Sequence, residues 1–437
     1  MQPTRVCDIE ALIVLSPNAV IFLFRFLVGA FALQVKGVET LGNRTLWGIS
    51  TYLAGLVVLD RKRTSTRIAR RFGFLSHDQL WRLGRLFDDI TSALGQWWVN
   101  FLLCFNLTNG WFILDDVLIQ KPYAKWMIGL YDQYDHTQKR HVKGIRLVVV
   151  LWTNGKVRVP VAFAIWHANG FVKHYRTKNQ IARLLIYKLS RQGVPFDKSY
   201  LVCDNWYASK ANLRFFAKLG ISMVTRLRKN AWVTLSEERI QLKQLANLES
   251  ISSYHYYSDL RAYVKSYLVE YPQVGQIRVA VVKNDRHAEP GRTKFLIATQ
   301  LELSNRQLVT RYRNRWAIEL FFRDCKQHFG FADCQARESY QMMFHFRMVF
   351  LAASLVDLVT DGVSVSRPPT VGEVIANLRA LWVLRVEGSK PQPVEIQPDG
   401  RIKAVGWETF LNPVRTCLPI EIEDEIPDSI YDLNIAA

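Results

Sequence analysis

Gly110-Trp111-Phe112-Ile113-Leu114-Asp115-Asp116 is the stretch on which the architecture turns. Four large apolar residues behind a glycine make a run too short for a helix, so it reads as a buried strand. It ends in two carboxylates. Downstream, Ile145 to Trp152 and Val157 to Trp166 flank Thr153-Asn154-Gly155, a hairpin signal. A helix is predicted from about Lys178 to Arg191, stopping at Gly193. The short strand Tyr200-Leu201-Val202-Cys203 then leads into Asp204, a helix from Ser209 to Leu219 stops at Gly220, and Ile221 to Thr225 forms another strand. Strands with interposed helices define an α/β domain. Asp115 and Asp204 both fall at the carboxyl ends of strands, where open α/β sheets place ligands.

Further out the periodicity changes. Residues 1–105 have apolar residues at three- and four-residue intervals and read as helical. Within them, Thr64 to Phe72, a break at Gly73 and a second helix from Ser76 to about Ile90 suit a helix-turn-helix, with Arg67, Arg70 and Arg71 as DNA contacts. Ala11 to Val35 is taken as the only long apolar stretch. Pro17, Asn18 and Arg25 interrupt it, so it reads as a buried helical pair and not a membrane span. Residues 226–305 are β-rich, with six tyrosines between Tyr254 and Tyr271, strands over Gln276 to Lys283 and Lys294 to Gln300, and a loop from Asp285 to Arg292. One long helical stretch is predicted from Ser304 to about Gly330, an apolar helix from Met342 to Val359, and, after Arg367-Pro368-Pro369, a helix from Thr370 to about Val386.

The charge points to a polyanionic partner. The 437 residues are 49% apolar, 12% aromatic and 22% charged, which excludes wholesale disorder, and 57 Lys and Arg against 38 Asp and Glu give +19. Residues 418–437 hold six acids and no Lys or Arg, so residues 1–417 carry +25. Such a field favours nucleic acid or an anionic surface. No secretory leader or lipidation motif is visible, which predicts a cytoplasmic protein. The six cysteines (7, 104, 203, 325, 334 and 417) lack metal-ligand spacing and read as reduced, mostly buried thiols, so any metal is held by oxygen.

The chemistry concentrates near Glu319. On one helix at about 100° per residue, Tyr312, Arg315, Glu319 and Lys326 share an arc about 60° wide. A solvated charge ladder accounts for that stripe equally well. Two strand-end carboxylates and a third on a helix are, however, what a two-metal site needs. Hard Mg²⁺ prefers carboxylate oxygens, and paired ions about 4 Å apart serve phosphodiester cleavage. Arg315 and Lys326 suit flanking phosphates, and Tyr312 suits a sugar, base or phosphate.

Tyr312-x2-Arg315-x3-Glu319-x6-Lys326 resembles the Y-(2)-R-(3)-E-(6)-K signature of the insertion-sequence-four superfamily of bacterial DDE transposases. Asp115-Asp116 after an apolar strand, Tyr134-Asp135-His136, Lys139 to Gly144 and Cys203-Asp204-Asn205-Trp206-Tyr207 look most like its insertion-sequence-701 branch; the resemblance covers about residues 111–345. It implies an RNase H-like catalytic core, with Asp115, Asp204 and Glu319 as catalytic and metal-binding residues. It further implies two Mg²⁺ ions (with Mn²⁺ able to substitute), a homodimer in a synaptic complex, and cut-and-paste movement of double-stranded DNA between terminal inverted repeats and a target. In relatives the Tyr, Arg and Lys of the signature contact the cleaved DNA end, which assigns that role to Tyr312, Arg315 and Lys326. The chain then divides into a helical N-terminal DNA-binding domain (1–105), a core in two parts (106–225 and 306–362) around a β-rich insertion (226–305), and a C-terminal helical region with the acidic tail (363–437). Localisation is that of a bacterial, nucleoid-associated protein.

Asp115, which follows the strand directly, is preferred as first carboxylate; Asp116 points to the opposite face if the strand continues. Lys139, Arg140 and Lys143, and Arg226, Arg228 and Lys229, are expected DNA-backbone contacts near the site, which makes affinity fall with salt. His136, His141 and His167 read as ordinary polar or phosphate-facing residues. Trp232 reads as buried, with stacking on a base as the alternative. No G-x-x-x-x-G-K-[ST] is present. Two other functions are kept in view: a domesticated DNA-binding regulator without catalysis, and a structure-specific nuclease.

Overall fold

In a computed structural model of the chain, the residues described are 12–14, 43–73, 75–87, 107–135, 138–170, 173–248, 250–285, 292–361, 370–379, 382–386, 392–396 and 402–404. Expectations for most of Ala11 to Val35, for His136, for most of the Asp285 to Arg292 loop, for Cys7, Cys104 and Cys417, and for the acidic tail lie outside them. The chain forms two compact units. One comprises residues 106–124 and 129–322, the other 1–105, 125–128 and 323–437.

The first unit is built on a twelve-stranded mixed sheet. Its strands are β1 (Trp111–Gln120), β2 (Tyr131–Asp135), β3 (Arg140–Thr153), β4 (Arg158–Trp166), β5 (Tyr200–Cys203), β6 (Ser222–Leu227), β7 (Trp232–Leu235), β8 (Glu238–Gln241), β9 (His255–Tyr257), β10 (Ala262–Tyr271), β11 (Gly275–Lys283) and β12 (Lys294–Ala298). The order is β2-β3-β1-β5-β6-β12-β11-β10-β7-β8, with β4 paired to β3 and β9 to β10. β1 pairs antiparallel with β3, and β5 and β6 run parallel to β1.

The predicted hairpin forms with its turn at Thr153-Asn154-Gly155. Gly144, opposite Gln120, has to be glycine for β3 to lie against β1: a Cβ there would meet the Ile119 carbonyl at 2.6 Å. Helix α1 (Lys178–Arg191) follows β4, starting from a Thr177/Gln180 capping box and burying Ile181, Leu185, Ile186 and Leu189. Helix α2 (Lys210–Lys218), capped by Ser209, connects β5 to β6.

Two expectations change in this unit. β1 does not end at Leu114: it runs on through Val117 and Ile119, so the two aspartates lie in mid-strand. The strands of 226–305 continue the same sheet, with β12 paired to β6. The long helix from Ser304 is two helices, α3 (Asn305–Arg313) and α4 (Trp316–His328). Between them Asn314 and Arg315 form a turn, closed by Arg315 N–H donating to the Tyr312 carbonyl at 3.1 Å and by Asn314 Nδ2 donating to Tyr200 Oη at 2.9 Å. Leu308 and Val309 of α3 join Val224, Ala280 and Leu296 of the sheet in one apolar cluster, against which Tyr312 packs.

The second unit contains helices Asn43–Val58, Ser65–Phe72, His77–Arg82, Ser339–Asp361 and Val371–Arg379. It also holds a four-stranded sheet in the order Leu12–Val14, Trp382–Val386, Gln392–Ile396, Ile402–Ala404. Thr64 and Ser76 cap the two short helices, and Gly73 takes φ 74° between them; the second gives way to a tight helical turn at Leu83–Phe87. Leu12–Val14, expected within a helical pair, is a strand, and the helix expected to reach Val386 is described as Val371–Arg379, with Trp382–Val386 a strand paired to Leu12–Val14. Ser339–Leu358 is a second long apolar stretch, long and apolar enough to cross a membrane, but 89% of it is buried in the protein, which makes it a core helix. Its His345 binds Tyr52 Oη at 2.9 Å and the Gly330 carbonyl at 3.0 Å, and Arg63 reaches the Leu56 carbonyl at 2.8 Å and Asp333 at 3.4 Å. Cys203, Cys325 and Cys334 are buried.

Candidate active site

Two acids meet where β1 and β5 part. Leu114 is the last β1 residue paired with β5, opposite Cys203, so Asp115 and Asp204 are the next residues along two neighbouring parallel strands. Asp204 then leads into the tight turn Asn205–Tyr207, and its position is fixed through its backbone: its carbonyl accepts from Tyr207 N–H at 3.0 Å and from the buried Thr225 hydroxyl at 3.3 Å.

Arg315 brings in the third acid. Its Nη1 donates to Asp115 Oδ2 at 2.9 Å, and its Nη2 to Glu319 Oε1 one turn further along α4. The turn at Asn314-Arg315 thus separates Tyr312 from the α4 face while leaving the Arg315–Glu319 pair in helical register. Tyr312 stays with the site: half-buried, its hydroxyl is raised in pKa mainly by burial and also feels Arg315, Asp204 and Arg226. Burial, then the neighbouring Asp116 carboxylate, push the Asp115 carboxyl up to about 7. Asp204 adds to this, while Arg315 and the Asp116 N–H (2.8 Å from Oδ1) oppose it.

Asp116 has a different environment. Arg146 Nη1 at 2.5 Å, Lys178 Nζ at 2.8 Å and Tyr207 Oη at 3.0 Å all donate to it. Although burial acts against the charge, these two cations hold its carboxyl below the usual carboxylate range. Asp116 is therefore fully engaged. Lys178 and Arg146 were not singled out from sequence, and Tyr207 stood only within the run Cys203 to Tyr207, with no role of its own; Lys178 opens a helix and Arg146 sits within a hydrophobic strand, with no motif around either.

Other predicted residues are dispersed. Arg226, Arg228 and Lys229 line a cavity of about 830 Å³ with Arg292 and Lys294, which sequence reading missed, against a single acid, Asp285. Lys139, Arg140 and Lys143 are at the far end of β3. The β3 residue opposite Asp115 is Val149, so Lys143 and Arg140 are roughly 20 and 30 Å further along the strand at about 3.3 Å per residue, not beside the acids. Lys326 is exposed on α4 beyond Phe322, in the other unit, as are Arg67, Arg70 and Arg71 on helix Ser65–Phe72. His141 is exposed beside Tyr134, and burial lowers the His167 pKa. Trp232 is not buried: 43% of it is exposed and Arg239 lies 4.8 Å from its ring.

Among the described residues no three His, Cys, Asp or Glu side chains stand together as a metal-ligand set. The donors nevertheless suit a hard divalent cation in kind, being carboxylate oxygens. They also suit it in charge: the Asp115 proton is held against two neighbouring acids, and the space between Asp115 and Glu319 is spanned by a cation, the Arg315 guanidinium.

Among solved structures, the cryo-EM structure of a piggyBac transposase synaptic complex with hairpin DNA is similar at 12% identity and TM-score 0.42, over 95% of this chain and 85% of that one, a distance at which nothing is carried over. No curated protein matches the sequence. The family model for the transposase DDE domain matches residues 111–355, from the first residue of β1 into the apolar core helix. That match takes in more than half the chain and every acid described above: the protein belongs to the transposase DDE domain family.

Proposed function

We propose that the protein cuts the ends of a mobile DNA segment and joins them to target DNA, a cut-and-paste reaction, with Asp115, Asp204 and Glu319 as its catalytic carboxylates. The observation that carries this reading is the Arg315 bridge from Asp115 to Glu319, acids distant in sequence, beside the strand end that bears Asp204. The three carboxylates would hold Mg²⁺, as two ions with Mn²⁺ able to substitute; bound there, such ions activate the attacking oxygen and stabilise the leaving one. The core strands β4-β3-β1-β5-β6 fit an RNase H-like core.

In the first step water attacks phosphorus and the bond to the 3′ oxygen breaks, freeing a 3′ hydroxyl. In the second, that hydroxyl attacks a target phosphodiester and releases a target 3′ hydroxyl, so one phosphodiester is exchanged for another and no nucleotide triphosphate is consumed. Arg315, released from the carboxylates, presents its planar fork to a phosphate. Tyr312, kept protonated by burial, donates a hydrogen bond at the same end. Lys326, the Arg226–Lys229 cavity, the Lys139–Lys143 hairpin and the Arg67, Arg70 and Arg71 face hold more of the double-stranded DNA. Two copies join two ends in a synapse, in the bacterial cytoplasm at the nucleoid.

The test is incubation of the protein with a labelled end of the DNA interval that encodes it, Mg²⁺ and a plasmid. Joined products support the proposal; cleavage without joining marks a nuclease, and binding alone a regulator. Asp204→Ala and Glu319→Ala each lower cleavage on the order of 10³-fold or more while DNA binding persists. Full cleavage by either variant would overturn the site assignment.

A further inference from the structure

We propose that Asn314 and Tyr200 are positioning residues for the cleavage reaction, a pin that sets where Arg315 and Glu319 land on the sheet. This rests on the transposase reading and adds to it a pair of residues that acts through the third acid and not on the DNA.

The pleat puts the parts on one face. Trp111, Ile113 and Asp115 alternate along β1, and Tyr200, Val202 and Asp204 keep the same spacing along β5 and its extended continuation. Trp111 stacks on Tyr200, with ring centroids 6.2 Å and planes 9° apart, so the two sets point the same way. Arg315 meets Asp115 on that face. The helix break therefore spans it. Asn314 reaches the first residue of β5, while Arg315, the next residue, reaches the acid four residues beyond Trp111.

The backbone bonds of the break, Asn314 N–H to the Thr310 carbonyl at 3.0 Å and Ala317 N–H to the Asn314 carbonyl at 3.3 Å, stay within α3 and α4 and fix it to nothing else. An asparagine at a helix boundary commonly turns its side chain back to cap the helix. That of Asn314 crosses to Tyr200 Oη instead, at 2.9 Å. Tyr200 is well held: besides Trp111, Arg311 of α3 lies 4.6 Å from its ring centroid, with Nη1 donating to Gln300 Oε1 at 2.9 Å. Burial raises the pKa of the phenol, which stays neutral and accepts from the amide.

One hydrogen bond thus joins the strand that leads into Asp204 to the turn whose next residue bridges Asp115 and Glu319. Its importance grows when the site is at work. Once Arg315 leaves the carboxylates for a phosphate, its ion pairs no longer hold the start of α4, and the bond to Tyr200 is a link that remains. Misplacing a reacting group by about 1 Å costs on the order of 10²-fold in rate.

The experiment uses the full chain, Mg²⁺ and labelled ends of the DNA interval that encodes it. Tyr200→Phe removes the hydroxyl and keeps the stacked ring; Asn314→Ala removes the amide. Each is expected to lower kcat for end cleavage about 10- to 100-fold while KM for the end changes less than about twofold. The double variant is expected to be no slower than the slower single one, since both remove one bond. Asn314→Asp, whose carboxylate accepts from the Tyr200 O–H, is expected to recover much of kcat, and to lose that recovery when combined with Tyr200→Phe. Hydrogen exchange of the free protein gives an independent readout: the amides of residues 312–320 are expected to exchange about fivefold faster in Tyr200→Phe. Single effects that multiply in the double variant, a loss confined to KM, or wild-type kcat in Tyr200→Phe would overturn the pin and leave the acids as assigned. A wild type that cuts neither end overturns the transposase reading; the pin is then decided by exchange alone, and unchanged exchange over 312–320 overturns it as well.

Discussion

Asp115 and Asp116 are consecutive residues of β1, and the pleat of the strand sends their carboxyls to opposite faces of the sheet. On one face Asp115 has a single guanidinium, which it shares with Glu319, and acids around it; its pKa rises to about 7. On the other, Asp116 has two cations and a phenol to itself, and its pKa falls. Burial is common to both, so the opposite shifts are set by the charged and hydrogen-bonding groups around each carboxyl. A carboxylate that accepts from three donors, two of them cations, keeps one lone pair and has no unmet negative charge to draw a metal ion. One that is short of positive charge has. The division supports Asp115 as the working acid and Asp116 as the anchor that fixes β1 to β3, to α1 and to the Asn205–Tyr207 turn.

The largest expected effect is on the anchor. Asp116→Ala leaves Arg146 and Lys178 facing each other in a largely buried site, where loss of one partner of an ion pair costs about 3–5 kcal/mol. Thermal unfolding of the full chain is expected to move down on the order of 10 °C. Asp115→Ala removes an acid already short of positive charge and is expected to cost far less. Equal losses in the two variants would break the comparison.

The acids were only partly legible in the sequence. Local signals located α1, α2 and the Thr153–Gly155 hairpin, because a capping Thr or Ser, a stop glycine and a turn triplet act over a few residues. The strand carrying Asp115 was placed but cut short: the apolar run ends at Leu114, and only Val117 and Ile119, buried at alternate positions, show that it continues. The pairing of β12 with β6 joins residues about seventy apart, and that of Trp382–Val386 with Leu12–Val14 joins opposite ends of the chain. Neither leaves a trace in local pattern. The break at Asn314-Arg315 was missed because neither glycine nor proline marks it; a hydrogen bond to Tyr200, in another strand, holds it. Signature spacing found Arg315 and Glu319, yet nothing near Lys178 announces that it belongs to Asp116.

The pH dependence sharpens the same contrast. The Asp115 pKa rises from 3.8 to about 7 on folding, so the folded protein keeps a proton that the unfolded chain gives up. Its contribution to stability is fully present below about pH 4 and is lost as pH rises to about 7, at most about 4 kcal/mol at 1.36 kcal/mol per unit. Asp116 works in the other direction: its contribution is present above its unfolded pKa and lost as pH falls through its lower folded value. Urea unfolding in metal-free buffer at pH 4 to 8 measures both. Asp115→Asn is expected to flatten the loss between pH 4 and 7 and to leave the acid limb unchanged. A wild-type curve already flat between pH 4 and 7 would mean that Asp115 is not short of positive charge.

The smallest effect expected tests how completely Asp116 is satisfied. Tyr207→Phe removes one of its three donors without emptying space, since only the hydroxyl goes and the ring stays in its buried site. Burial and the two nearby carboxylates keep that hydroxyl protonated, so its contribution is a hydrogen bond to a charged acceptor, about 1.5–3 kcal/mol. Arg146 and Lys178 remain and neutralise the acid, which places the loss at the lower end, well short of that for Asp116→Ala. Because Tyr207 also ties the turn after Asp204 to β1, the variant loosens the link between Asp204 and the strand that carries Asp115, and cleavage is expected to fall more than DNA binding does. A Tyr207→Phe protein as unstable as Asp116→Ala would show that the phenol, and not the two cations, holds the anchor together.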